Sequence, residues 1–160
     1  MILQPDNVKL FPWKKEQEFF TQEEKKAIVE AIRQAELRTS GEVRLFVESR
    51  CRFVDPLDRA RELFLNLKMD QTEQHNGILL YIAIKDRQAA IYGDEGIHQK
   101  VSQKYWEDEV RKMLLYFRQQ HLVDGIIECI NDIGKALHHY FPYDRDTDKN
   151  ELPDDIVFGR

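Results

Sequence analysis

Apolar positions along the chain change period several times, and each change marks an element. The longest unbroken apolar run, Ile78 to Ile84, follows Asn76-Gly77 and mixes β-branched, aromatic and aliphatic side chains. Seven such residues without polar alternation predict a strand buried on both faces. The polar stretch Lys85-Asp86-Arg87-Gln88 separates this run from a second one, Ala89 to Tyr92, which is the pattern of a tight hairpin. The return strand ends on Gly93-Asp94-Glu95-Gly96. Upstream, Val43, Leu45 and Val47 alternate with Glu42, Arg44 and Glu48, which predicts a strand over 42–49 with one core face and one wetter face.

Elsewhere the period is helical. Thr21 and Glu24 form a capping box, and Ala27, Ile28, Ala31, Ile32 and Ala35 then recur at helical spacing to about Leu37. Thr39-Ser40-Gly41 ends that helix. Asp55 before Pro56 starts another, with Leu57, Ala60, Leu63, Phe64 and Leu67 on one stripe to about Met69. Two long helices are predicted last. One spans about His98 to Gln120 and buries Val101, Tyr105, Trp106, Val110, Met113, Leu114 and Phe117. The other spans about Val123 to Tyr140 and ends at Pro142.

A strand, a helix and a strand within about forty residues make a right-handed βαβ unit with parallel strands. A strand buried on both faces needs helices on both, so the expected fold class is α/β, a three-layer α/β/α sandwich with a small mixed sheet. The expected organisation is an N-terminal arm over 1–20 carrying Trp13, Phe19 and Phe20, one domain over 21–142, and an acidic tail over 143–160. A tail rich in Asp144, Asp146, Asp148, Glu151, Asp154 and Asp155 reads as solvated.

Composition narrows the function classes. The 160 residues fit one domain, and 42% hydrophobic with 33% charged residues belongs to a globular protein. A net charge of -5 argues against sequence-independent nucleic-acid binding, which needs a basic face. No run approaches the roughly 18 apolar residues of a membrane span. Prolines and charges interrupt the first twenty residues where a signal peptide has an apolar core, so the expected location is cytoplasmic. Cys51 and Cys129 lack CxxC spacing and read as two free thiols.

With the strands placed, polar residues collect at two poles of the sheet. The first pole takes Ser40, Gly41, Glu42, His75, Asn76, Asp94, Glu95 and Gly96. Oxygen ligands from three loops, with Glu42, Asn76 and Asp94 foremost, suit a hard cation such as Ca²⁺ or Mg²⁺; the plainer reading is that Asn76-Gly77 and Gly93-Asp94 are turn residues. His75 and His98 flank the hairpin near this pole. The second pole takes Arg50, Arg52, Asp55, Asp58, Asp86 and Arg87, at the carboxyl ends of the parallel strands where open α/β sheets bind ligands. There Asp58 and Asp86 would hold a metal and Arg50 or Arg87 a phosphate, unless Asp55 is a helix cap and Asp86-Arg87 a hairpin tip. Asp144-x-Asp146-x-Asp148-x-Asn150 imitates an EF-hand loop but has Lys149 at the glycine position and Pro153 inside. No GxSxG, Walker loop or HExxH is present.

Taken together, FTQEEKKAIVEAIRQAELRTSGEVRLFVE, DPLDRARELFLNLKM, HNGILLYIAIKDRQAAIYGDEGI, VSQKYWEDEV and NELPDDIVFG resemble the TPM-domain family, in its short stand-alone bacterial branch. The family includes a thylakoid-lumen acid-phosphatase-like protein. The resemblance implies an α/β/α fold, a divalent-cation site in the loops and a phosphatase activity in some members. Asn76, Gly77, Asp86, Arg87, Gly93, Asp94 and Gly96 match motif positions, whereas His75 stands where the family often has a basic residue or asparagine.

Three readings follow. The first is a binding module that holds a divalent cation through Glu42, Asn76 and Asp94 and engages another protein; the acidic balance and the lack of a nucleophile constellation put it first. The second is a metal-assisted acid phosphatase acting on phosphate esters, with metal-bound water as nucleophile. The third is an interaction domain with no ligand, presenting a surface such as the Trp13 arm.

Overall fold

The computed structural model describes residues 19–52, 54–143 and 155–159. Trp13 and the rest of the arm up to residue 18, and the Asp144–Asn150 run, lie outside them. Helix α1 (Gln22–Glu36) carries the expected capping box: Thr21 Oγ1 accepts from the Glu24 amide at 3.1 Å, and Glu24 Oε1 accepts from the Thr21 amide at 2.8 Å. Strand β1 (Glu42–Glu48) follows, then helix α2 (Pro56–Asn66), capped by Asp55, and a 3₁₀ turn over Met69–Gln71. Strands β2 (Gly77–Ala83) and β3 (Gln88–Gly93) form the hairpin. Helices α3 (Glu95–His98), α4 (Gln103–Arg118) and α5 (Leu122–Tyr140) come next, and strand β4 (Ile156–Phe158) closes the chain.

The sheet order is β3-β2-β1-β4. β1 runs parallel to β2 and to β4, and β2 pairs antiparallel with β3, so the sheet is mixed. Every residue of β2 is buried. Ile78, Leu80 and Ile82 join Val43, Leu45 and Val47 in a core filled by α1, α4 and α5. Leu79, Tyr81 and Ala83 join Phe46 in a second core under Ala60, Leu63 and Phe64 of α2. One helix therefore covers one face and three cover the other, giving the three-layer α/β/α fold.

Two sequence expectations are corrected. The helix expected from His98 to Gln120 starts later, as α4 at Gln103, and the separate short α3 ends where it was expected to begin. Ser102 Oγ accepts the Tyr105 amide at 3.2 Å and caps a new helix start, while Asp94 caps α3 through the Glu95 amide at 2.8 Å. The acidic tail is not solvated throughout, because Ile156, Val157 and Phe158 pair with Leu45, Phe46 and Val47. Three β-prone residues are too short a run to announce a strand. Ile156 is buried in the larger core.

Ile156 therefore tests the closing strand. Ile156→Ala should cost about 2–4 kcal/mol, the usual range for an aliphatic residue truncated in a core, measured by chemical denaturation against the unchanged chain. Unaltered stability would place residues 156–158 off the sheet.

Candidate functional site

At the first pole, the sheet brings the loop before β2 against the loop after β3. Glu42 N–H donates to Asn76 O at 3.3 Å, and Asp94 N–H donates to Gly77 O at 3.0 Å, so β1, β2 and β3 are tied together at this end. His75 adopts a left-handed backbone, φ 51°, which histidine tolerates better than branched residues. Gly96 allows the close approach of that loop: a Cβ there would lie 2.4 Å from the Gln74 carbonyl oxygen and 2.5 Å from that of His75.

The result is a cluster of His75, Asp94 and Glu95, each offering one ligating atom within 4.8 Å of the others. His75 Nδ1 lies 3.3 Å from Asp94 Oδ2. Asp94 is buried and His75 is half exposed, so the group opens to solvent on one side. Next along the chain, Asn76 is 1% exposed. Its Nδ2 donates to Ser40 Oγ at 3.1 Å, whereas its Oδ1 has no hydrogen-bond partner. A buried carbonyl oxygen without a donor is costly unless a ligand or water satisfies it. Of the three residues expected to ligate, Asp94 thus sits in the cluster and Asn76 beside it in sequence. Glu42 is buried on β1, with its carboxylate outside the group, and His98 is exposed at the end of α3. Glu95 and His75 were expected at this pole but not among the three foremost ligands.

The second pole is arranged differently. Asp86 accepts from the Cys51 amide at 2.7 Å and from Arg50 Nη1 at 3.0 Å, which fastens the hairpin tip to the loop after β1. Asp55 is spent on capping α2, and Asp58 is exposed on its first turn. Arg87, left-handed at φ 52°, places its guanidinium 5.8 Å from the centre of the Phe117 ring. Among the described residues, Asp58 and Asp86 belong to no three-member ligating group.

Arg50 also lines a cleft of about 570 Å³, together with Glu48, Ser49, Arg52, Arg59, Glu62 and Lys85. Its floor was missed in the sequence. Glu48, one of the residues expected on the wetter face of β1, is 5% exposed because α2 lies over it. Arg59 of α2 grips its carboxylate in a two-pronged contact, Nε to Oε2 at 2.9 Å and Nη2 to Oε1 at 3.0 Å. Tyr81 donates its hydroxyl to Oε2 at 2.5 Å. Burial and then Glu48 push the Tyr81 phenol well above its ordinary value, and the Glu48 carboxylate holds the Arg59 guanidinium firmly protonated. Arg52 and Lys85 have no ion-pair partner among the described residues.

Comparison with known proteins gives the context. A family model described as the TPM domain matches residues 14–136. The chain is similar to the BA42 protein of the psychrophilic bacterium Bizionia argentinensis, solved by NMR. The two share 45% identity with a TM-score of 0.81, covering 91% of this chain and 99% of that one. The N-terminal domain of cg2496 from Corynebacterium glutamicum matches at 11% identity and TM-score 0.60, covering 82% of this chain and 86% of that one. The N-terminal domain of a P. gingivalis protein matches at 13% and 0.66, covering 79% and 84%. These two share the fold alone. No curated protein matches the sequence.

The Glu48–Arg59 pair yields a prediction for the second pole. Arg59→Ala leaves a buried carboxylate with the Tyr81 hydroxyl as its remaining side-chain donor among the described residues, and should cost about 3 kcal/mol in chemical denaturation at pH 7. A change below about 0.5 kcal/mol, the size of an ordinary surface substitution, would mean that Glu48 is not held as described.

Proposed function

We propose that this chain, which belongs to the TPM-domain family, is a binding module that holds a divalent cation at the first pole of its sheet and engages another protein. The cluster of His75, Asp94 and Glu95 carries the reading. Ligands bound to one ion at roughly 2.0–2.6 Å lie at most about 5 Å apart, and the three atoms fall within 4.8 Å before any ion draws them in. Asn76 Oδ1, buried and unpartnered, is the further oxygen donor closest in sequence. Asp94 and Glu95 suit Ca²⁺ or Mg²⁺, while the His75 nitrogen adds affinity for Mn²⁺ or Zn²⁺.

A second reading, metal-assisted hydrolysis of phosphate esters, draws on the cleft at the other pole. Arg50, Arg52 and Lys85 line it and would attract a phosphate. Against it, Asp86 is engaged by Arg50 and a backbone amide, and Arg87 lies over Phe117, so of the metal and phosphate ligands expected from the sequence Arg50 alone lines the cleft.

Titration separates these readings. Ca²⁺, Mg²⁺, Mn²⁺ and Zn²⁺ should each raise the melting temperature progressively with concentration, with about 2.7 kcal/mol of added stability at a hundred times Kd, and give saturable amide shifts centred on His75, Asn76 and Asp94. Mn²⁺ and Zn²⁺ should bind more tightly than Mg²⁺. Asp94→Asn keeps a competent helix cap and His75→Asn tolerates the left-handed backbone, so both should fold and weaken binding at least tenfold. Binding unchanged in both variants would sink the site. Turnover of p-nitrophenyl phosphate that needs the metal and is lost in Arg52→Ala with Lys85→Ala would favour the second reading instead.

A further inference from the structure

The free edge of β3 lies in a groove. β3 is the outermost strand on its side of the sheet, and its residues Gln88 to Gly93 include no proline, no lysine and no other charge. Edge strands in native proteins are ordinarily blunted by such residues, because their unpaired N–H and C=O groups template another strand. The other edge is protected: β4 has three residues, and Phe19, Phe20 and Lys25 gather around its Phe158 ring.

The hydrogen-bond parity of β3 is determined by its neighbours. Asp94 N–H donates to Gly77 O, and β2 turns its even residues toward β1, as the bonds from Glu42 N to Asn76 O and from Ile84 N to Glu48 O require. Tyr92, Ala90 and Gln88 therefore pair with Leu79, Tyr81 and Ala83. Ala89, Ile91 and Gly93 consequently direct their N–H and C=O groups outward, about 6.8 Å apart at every second residue.

Alongside them runs a groove of about 210 Å³. Ala89, Ala90 and Ile91 form its floor, the start of α2 at Asp55 to Leu57 makes one wall, and Trp106 and Val110 of α4 belong to the other. Two of the three strand residues on the floor are alanines, and Ile91 is 1% exposed. The charged residues of the lining are Asp55 and Glu107, both acidic, and neither has an ion-pair partner among the described residues.

We propose that the β3 edge is a docking site for an extended peptide segment of a partner protein, carrying basic side chains and alternating them with apolar ones. The segment adds a fifth strand by bonding to Ala89, Ile91 and Gly93. Because alternate side chains of an added strand point to opposite faces, its apolar ones lie along the Leu57 wall and its basic ones face Glu107 on the α4 wall. This deepens the interaction half of the proposed function and does not depend on the cation.

The test uses the full chain and a fluorescein-labelled hexapeptide of alternating lysine and valine, with a glutamate–valine hexapeptide as control, in EDTA and again with saturating Ca²⁺. Anisotropy should show saturable binding of the lysine peptide with the same Kd in both buffers, and at least tenfold weaker binding of the control. Amide NMR should place the shifts, and the slowed hydrogen exchange, at Ala89, Ile91 and Gly93. Ala89→Pro removes an outward donor that no internal bond uses, and should weaken binding at least tenfold. Should that variant fail to fold, Glu107→Lys, on the exposed face of α4, carries the test by narrowing or reversing the preference between the two peptides. Shifts elsewhere on the protein, equal binding of both peptides, or sedimentation showing that a second copy of the chain occupies this edge would each overturn the proposal. Binding that appears only with Ca²⁺ would overturn its independence from the first pole, whereas failure of the cation titration alone leaves the peptide result standing.

Discussion

β2 has no face in water. Its seven residues are all buried, with Ile78, Leu80 and Ile82 in one core and Leu79, Tyr81 and Ala83 in the other. A strand of this kind requires a helix layer on each side and a paired strand on each flank, since its backbone groups have no solvent to turn to. The layer of α2, the layer of α1, α4 and α5, and the pairing with β1 and β3 follow from that single requirement. Polar chemistry is then excluded from the middle of the sheet and confined to its two ends and its outer edges.

The same constraint explains which parts of the fold were legible. Whole-element patterns spoke clearly: the Ile78–Ile84 run, the hairpin, the Thr21 capping box and the Asp55-Pro56 start all rest on local chemistry. What escaped depended on contacts between distant segments. Ser102 moves the start of the helix expected from His98 because its hydroxyl takes the Tyr105 amide, a choice that periodicity across the junction conceals. β4 exists because Ile156 finds the core beside Leu45 after a long excursion of chain. Glu48 looked like a solvent-facing position in an alternating strand, and became a buried carboxylate once α2 brought Arg59 over it.

The candidate sites divide along the same line. At the second pole, Asp86, Arg50 and Arg87 were named from the sequence as ligands, yet each has structural work: Asp86 ties Arg50 and the Cys51 amide, and Arg87 covers Phe117. Charges that satisfy one another hold loops in place and leave little attraction for a ligand. At the first pole the balance runs the other way. Among the described residues neither His75 nor Asp94 is paired with a lysine or arginine, Glu95 adds a second carboxylate, and Asn76 Oδ1 is buried and unpaired. Two carboxylates and an imidazole brought within 4.8 Å by the loops form an arrangement that a cation would stabilise.

Loop ends and strand edges recognise different things for a physical reason. A pole gathers side chains from several loops, so it can match the charge and coordination of an ion, and its specificity lies in the donors. An edge offers repeating backbone groups, so it matches the period of another chain, and its specificity lies in the pockets beside it. Here the two are joined through Gly93 and Asp94, the last residue of the edge strand and a member of the candidate cation cluster. Because the Asp94 amide bonds inward to Gly77 while the Gly93 amide faces outward, a peptide on the edge and an ion at the pole make no demand on the same backbone group. The fold can therefore carry both kinds of recognition a single residue apart without either displacing the other.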